Sequence, residues 1–303
     1  MAPPMYADLK LDWKAMPDNL LELVETALSL GYERIAFNNH VEELKGGKGK
    51  RQREKNEILP AAEILLNAET LKGLQVRGHR FEQLSRVTAV LRDAANTHRI
   101  SSPEVQAYDL IAVQPTDDRT FQLACSSLDV DLISLDLSEH LGFVPKRPLV
   151  RLAAERGIHF ELSYRPALSE GPMRRYVLSQ ALTLVTALSG RNIIISSGAR
   201  ETLELRSPCD VVNLAKLFSL SSIQAKDAVS RNCRAVLKHA ESRRTCKSVL
   251  SVVKMTSLPA WEQHLHQQLD RQGREGREKR DSSPSTECET DQETPPPQKK
   301  LKV

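Results

Sequence analysis

The sequence predicts an α/β chain folded as a distorted TIM-barrel-like domain of about seven parallel strand–helix units. Three observations lead there. Runs of branched aliphatics such as D-L-I-A-V (109–113) and N-I-I-I-S (192–196) do not alternate apolar with polar, which suits parallel strands covered on both faces. Strand-like and helix-like patterns then alternate along the chain, as a parallel sheet requires. The units are similar in length, and no G-x-G-x-x-G turn occurs among only 13 glycines, so a closed barrel is favoured over an open nucleotide-binding sheet.

The strands are expected at Met5–Leu11, Arg34–Asn38, Leu84–Leu91, Tyr108–Gln114, Val130–Leu137, Ile158–Tyr164 and Asn192–Ser197. Between them lie helical faces. Leu20, Val24, Ala27 and Leu28 form the first, and Val177, Ala181, Leu184 and Leu188 recur at i, i+4, i+7, i+11 in another. Ser207-Pro208-Cys209-Asp210 is a helix start, with serine at the N-cap, proline at N1 and an acid at N3. Ser221 and Gln224 form a capping box that opens a short connector or the last helix. In that last helix Val229, Cys233, Val236 and Ala240 share one side.

Composition bounds the chemistry. Aromatics are 4% of 303 residues, so the core is aliphatic and a base-stacking platform is not expected. The five cysteines, Cys125, Cys209, Cys233, Cys246 and Cys288, contain no C-x-x-C pair, which speaks against zinc and a disulfide framework and for a reducing compartment. No run of about 18 apolar residues exists, and Asp8, Lys10 and Asp12 interrupt the N-terminus, so neither a membrane span nor a signal peptide is expected. The folded domain is assigned to residues 1–256. From about Ser257 apolar periodicity ends, and 257–303 reads as a disordered charged tail. Its final Lys299, Lys300 and Lys302, after Pro297, make a candidate nuclear import signal. A second segment, Lys45–Lys55, holds six basic residues and one acid and reads as a long loop.

The net charge of +4 matters only where it is clustered. Arg231 and Arg234, with Lys238, fall at i, i+3, i+7 on one side of the last helix, a stripe suited to phosphates. Lys146 and Arg147 follow the fifth strand, and Arg174-Arg175 open a helix. Lys10 and Arg200 follow the first and seventh strands. In a barrel, loops after strands share one end, so these distant residues are expected to converge. Ordinary solvated faces would carry the same charges.

An enzyme reading would rest on the polar residues near strand ends, Asp8, Asn38, His40, Asp136, Glu161, Ser196 and Ser197, with the acids and His40 holding a metal. No H-x-H, H-x-x-x-H or D-x-D stands at a strand end, and no G-x-S-x-G or P-loop is present. No cofactor, metal site or catalytic residue is expected. A metal-dependent phosphoesterase and a protein-only scaffold remain the rival readings.

Several motifs together resemble one family. F-Q-L-A-C-S-S-L-D-V-D-L-I-S (121–134), K-R-P (146–148), M-R-R-Y (173–176), N-I-I-I-S-S-G-A (192–199), P-C-D-V-x-N-L (208–214) and N-C-R-A (232–235) are similar, in order and spacing from about Tyr6 to Val253, to the thirty-kilodalton protein subunit of ribonuclease P and ribonuclease MRP. The resemblance implies a barrel of the polymerase and histidinol phosphatase superfamily. It implies a non-catalytic nuclear and nucleolar subunit supporting the RNA that matures tRNA 5′ ends and, in MRP, ribosomal RNA precursors. The implied partners are ribonuclease P RNA, MRP RNA, precursor tRNA and other proteins, including small ferredoxin-like subunits, with two copies per particle as one option. The metal-binding His-x-His of the phosphatases corresponds here to Asp8-Leu9-Lys10. Nothing is carried over to Lys45–Lys55.

Overall fold

The structure is a computed structural model that describes residues 5–12, 20–42, 58–66, 81–168 and 171–245, with Thr70 and Leu74 between them. The loop at 45–55, the boundary at 257 and the lysines at 299, 300 and 302 lie outside the described residues.

Seven strands pair in sequence order, all parallel: β1 (Ala7–Asp12), β2 (Arg34–Val41), β3 (Glu82–Leu91), β4 (Leu110–Pro115), β5 (Leu132–Ser134), β6 (His159–Ser163) and β7 (Ile193–Ser196). The sheet curls until β7 returns to β1. There the Gly198 amide donates to Lys10 O at 2.9 Å and the Asp12 amide to Ala199 O at 3.2 Å, so the barrel is nearly closed. The register of β1 shifts between Asp8 and Leu11. At this bulge the Asp8 carboxylate replaces a rung of the ladder, its Oδ1 accepting from the amides of Lys10 (3.2 Å) and Ser197 (3.1 Å).

The fifth strand is shorter than its apolar run predicts. Asp131 Oδ2 takes the Ile111 amide at 2.9 Å before the strand begins, and Asp136 Oδ1 takes the Ser138 amide at 3.0 Å beyond it. Side-chain carboxylates thus intercept backbone donors at both ends.

The α-helices are α1 (Leu20–Ser29), α2 (Pro103–Gln106), α3 (Asp118–Ser126), α4 (Arg147–Glu155), α5 (Arg165–Leu168), α6 (Pro172–Leu188), α7 (Pro208–Leu217), α8 (Ser222–Ala228) and α9 (Arg231–Thr245). The heptad-like spacing of α6 seats Val177, Ala181, Leu184, Val185 and Leu188 in the core. Each fully buried large aliphatic contributes about 1.5–3 kcal/mol. Ser207 caps α7 through the Asp210 amide, and Ser221 and Gln224 form the reciprocal box that opens α8 as the short connector. Gly190, at φ 70°, ends α6 where a Cβ would lie 2.2 Å from Gln224, whose amide holds Ser189 O.

The last helix, α9, is no ordinary outer helix. Its Cys233, Val236 and Ala240 join Ala7, Leu9, Ala36, Leu84, Leu110, Ala112, Leu132 and Ile194 in one apolar cluster. These strand residues are inward-facing at the N-terminal ends, so α9 plugs the floor of the barrel. Arg243 clamps it there, with Nη2 3.1 Å and Nε 3.2 Å from Oδ2 of the buried Asp131.

Candidate functional site

Above the apolar floor the barrel interior turns polar. Arg86 on β3 reaches across to Glu161 on β6 in a bidentate pair, with Nη1–Oε1 at 2.5 Å and Nη2–Oε2 at 2.6 Å, and both side chains are wholly buried. Two further donors are engaged: Nη1 with Leu9 O at 2.6 Å and Nε with Thr88 Oγ1 at 3.2 Å. Ser196 Oγ donates to Glu161 Oε1 at 2.8 Å. Lys10 closes the layer from the C-terminal side, its ammonium 3.0 Å from Ser134 Oγ, 3.1 Å from Ser163 Oγ and 3.6 Å from Glu161 Oε2.

Burial alone would push Glu161 up, but the Arg86 guanidinium, then Lys10, overcome that and hold its carboxyl far below the usual range. Burial lowers Lys10; Glu161 opposes that and Arg86 reinforces it. Desolvation raises Asp8 to about 6, against hydrogen bonds from Ser197 and the Lys10 amide. His40 on β2 is lowered by burial and then by repulsion from Lys10. The donor set is therefore two cations around one carboxylate. Among the described residues no three His, Cys, Asp or Glu side chains converge on one point. A divalent ion would meet the Lys10 and Arg86 charges, so these residues fit a metal poorly.

The eight residues singled out for phosphate contact do not form one surface. Lys146, Arg147, Arg174, Arg175 and Arg200 stand at the C-terminal rim, while Arg231 and Arg234 lie on α9 at the opposite end. Lys10 stands apart from the other seven: it reaches into the barrel, its ammonium 3.6 Å from Glu161 Oε2, beside the register shift of β1. Three of the rim cations are partly occupied. Lys146 pairs with Asp118 at 3.2 Å and Arg200 with Asp12 at 3.0 Å. Arg174 donates to the carbonyls of Ala167 at 3.1 Å and Leu168 at 3.4 Å. Arg231, Arg234 and Lys238 are exposed and make no ion pair among the described residues.

Sequence reasoning missed Arg86 and Asp131. An arginine embedded in the apolar run L-S-R-V-T-A-V-L (84–91) was the available signal, since a charge there needs a buried partner. Asp131 falls within the apolar run that predicts the fifth strand and belongs to no recognisable motif. It instead anchors α9 through Arg243 and through His239, whose Nδ1 lies 2.9 Å away. That hydrogen bond raises the His239 pKa against the effect of burial.

Fold and interior define a class: a parallel α/β barrel whose usual reactive mouth is filled by an arginine–glutamate–lysine network. The family described as RNase P subunit p30 matches residues 5–245, and the chain belongs to that family. It is 41% identical over 251 residues to the ribonuclease P protein subunit p30 of Mus musculus, covering 82% of this chain and 91% of that one. It is 28% identical to the ribonuclease P/MRP protein subunit RPP1 of Saccharomyces cerevisiae, covering 78% of this chain and 77% of that one. A chain from a cryo-EM structure of archaeal ribonuclease P with mature tRNA superimposes with TM-score 0.57 at 13% identity, over 82% of this chain and 98% of the other, and shares the fold.

Proposed function

We propose that this chain is a non-catalytic protein subunit of a nuclear and nucleolar ribonuclease P, which matures tRNA 5′ ends, and of ribonuclease MRP, which processes ribosomal RNA precursors. Catalysis resides in the RNA; the protein neutralises phosphates and docks neighbouring subunits, small ferredoxin-like ones among them. Family membership supports the particle. The observation that carries the non-catalytic role is the barrel interior, where Arg86 and Lys10 saturate Glu161 and occupy the space in which a reactive centre would have to sit.

For RNA contact the strongest candidates are Arg231 and Arg234, together with Lys238, exposed on the floor helix and without an ion pair among the described residues. Arg174 and Arg175, with Lys146 and Arg200, form a second group at the rim, weakened where internal partners compete. Arginine is suited to such contacts because its planar fork takes two phosphate oxygens.

The test has two arms. The tagged chain purified from cells should carry precursor-tRNA 5′ cleavage and the cognate RNA, while the chain alone with Mn²⁺ should hydrolyse no phosphoester. Arg231→Ala with Arg234→Ala should lower the slope of log K against log salt by about 1 per lost contact. Unaided turnover by the isolated chain refutes the reading, and an unchanged slope removes these arginines from the RNA face.

A further inference from the structure

Five of the nine large hydrophobics exposed among the described residues belong to two neighbouring outer helices and the approach to one of them: Val144 before α4, Leu152 on α4, and Met173, Tyr176 and Leu182 on α6. Outer barrel helices ordinarily present charges to water. Helix α6 does not: over 17 residues it has no acid, and its only charges are Arg174 and Arg175 in the first turn. Its outward threonines are also turned inward chemically. Thr183 Oγ1 donates to Ser179 O at 3.0 Å and Thr186 Oγ1 to Leu182 O at 2.7 Å, so both hydroxyls are satisfied within the helix. Between α4 and α6 runs an open groove of about 390 Å³ lined by Pro145, Arg147, Leu182, Thr183, Thr186 and Ala187.

The groove has a charged border on one side only. Arg147 and Arg151 stand at i, i+4 on α4, both exposed and neither ion-paired among the described residues. We infer that the α4–α6 face binds another protein subunit, one that lays an apolar ridge into the groove and brings carboxylates to Arg147 and Arg151. An uncharged centre of Pro145, Leu182, Ala187 and two threonines bonded to their own helix, bordered by arginine, has the pattern of a protein interface core with a polar rim. A polyanion would offer Leu182 and Ala187 no apolar partner, so RNA is the poorer occupant. The assignment moves Arg147 from the phosphate set to the protein-binding set. It rests on the proposed function in supposing a multi-subunit particle.

The experiment uses the tagged full chain in cells. Leu182→Glu places an acid in the groove at an exposed position. Leu203, exposed on another segment at 82%, provides the control as Leu203→Glu. Leu182→Glu should cut co-purifying protein subunits and precursor-tRNA cleavage by at least about tenfold, and Arg147→Glu with Arg151→Glu should do the same. Leu203→Glu should leave both near wild type. The purified Leu182→Glu chain should keep its thermal midpoint and its affinity for the particle's RNA. A benzophenone amino acid at position 182 should crosslink to a different protein subunit. Full assembly by Leu182→Glu, equal loss with Leu203→Glu, or crosslinks only to RNA or to a second copy of this chain would overturn the inference. Absence of cleavage activity from the wild-type preparation would instead sink the proposed function itself, a result distinguishable from any failure confined to the face.

Discussion

Replacing Glu161 by glutamine isolates the central interaction of the barrel. The amide keeps the shape of the carboxylate and a hydrogen-bond acceptor, but leaves the Arg86 guanidinium charged, buried and without a counter-ion. Breaking a buried pair from one side costs about 3–5 kcal/mol, because the remaining ion has lost both water and partner. With a urea slope of about 2–3 kcal/mol/M for a domain of this size, the unfolding midpoint should fall by roughly 1–2 M. The loss should also be pH-dependent. Glu161 is depressed in the fold, so it stabilises above its unfolded value near 4.5, and that contribution disappears as pH falls toward the folded value. The gap between wild type and Glu161→Gln should therefore be full at pH 7 and narrow below about pH 4. Arg86→Met with Glu161→Met removes the wholly buried guanidinium along with its carboxylate and should be less destabilised than Glu161→Gln, because the only cation left without its carboxylate is the partly exposed Lys10. Urea titrations followed by far-ultraviolet circular dichroism measure all three chains. A loss below about 1 kcal/mol for Glu161→Gln, with unchanged slope, would refute the claim that this pair organises the interior.

Three further outcomes follow from the floor and the seam. Arg243→Ala strands the buried Asp131 and should cost about 3–5 kcal/mol, with faster amide hydrogen exchange concentrated in α9; uniform exchange across the barrel would contradict a local clamp. His239 is raised above 6.5 by Asp131, so its stabilisation is complete below that value and lost as pH rises through the folded one. Thermal midpoints from pH 5.5 to 9 should decline in wild type relative to His239→Gln, and parallel profiles would disprove the linkage. Asp8, raised from 3.8 to about 6, likewise favours the fold most when protonated. Asp8→Asn keeps an acceptor for the Ser197 and Lys10 amides, so its stability relative to wild type should improve between pH 4 and 7; a constant difference would show that the carboxyl stays charged throughout.

The sequence by itself determined the repeating architecture. Seven apolar runs marked seven strands, and the faces of α1, α6 and α9 were legible from spacing, because burial of a strand or helix face imposes a local period that survives in one dimension. It also located the arginines and lysines, though not what each one touches. Lys10 and Arg200 both follow barrel strands, yet one enters the interior and the other pairs with Asp12 at the rim. Arg231 and Arg243 share one helix, yet one faces solvent and the other binds Asp131 across the floor. Only the tertiary structure decided these, since the partners Glu161, Asp12 and Asp131 are 151, 188 and 112 positions away from Lys10, Arg200 and Arg243. A charge carries no periodic signature of its destination: its energy depends on which opposite charge the closed barrel brings within a few ångströms and how far water is excluded there.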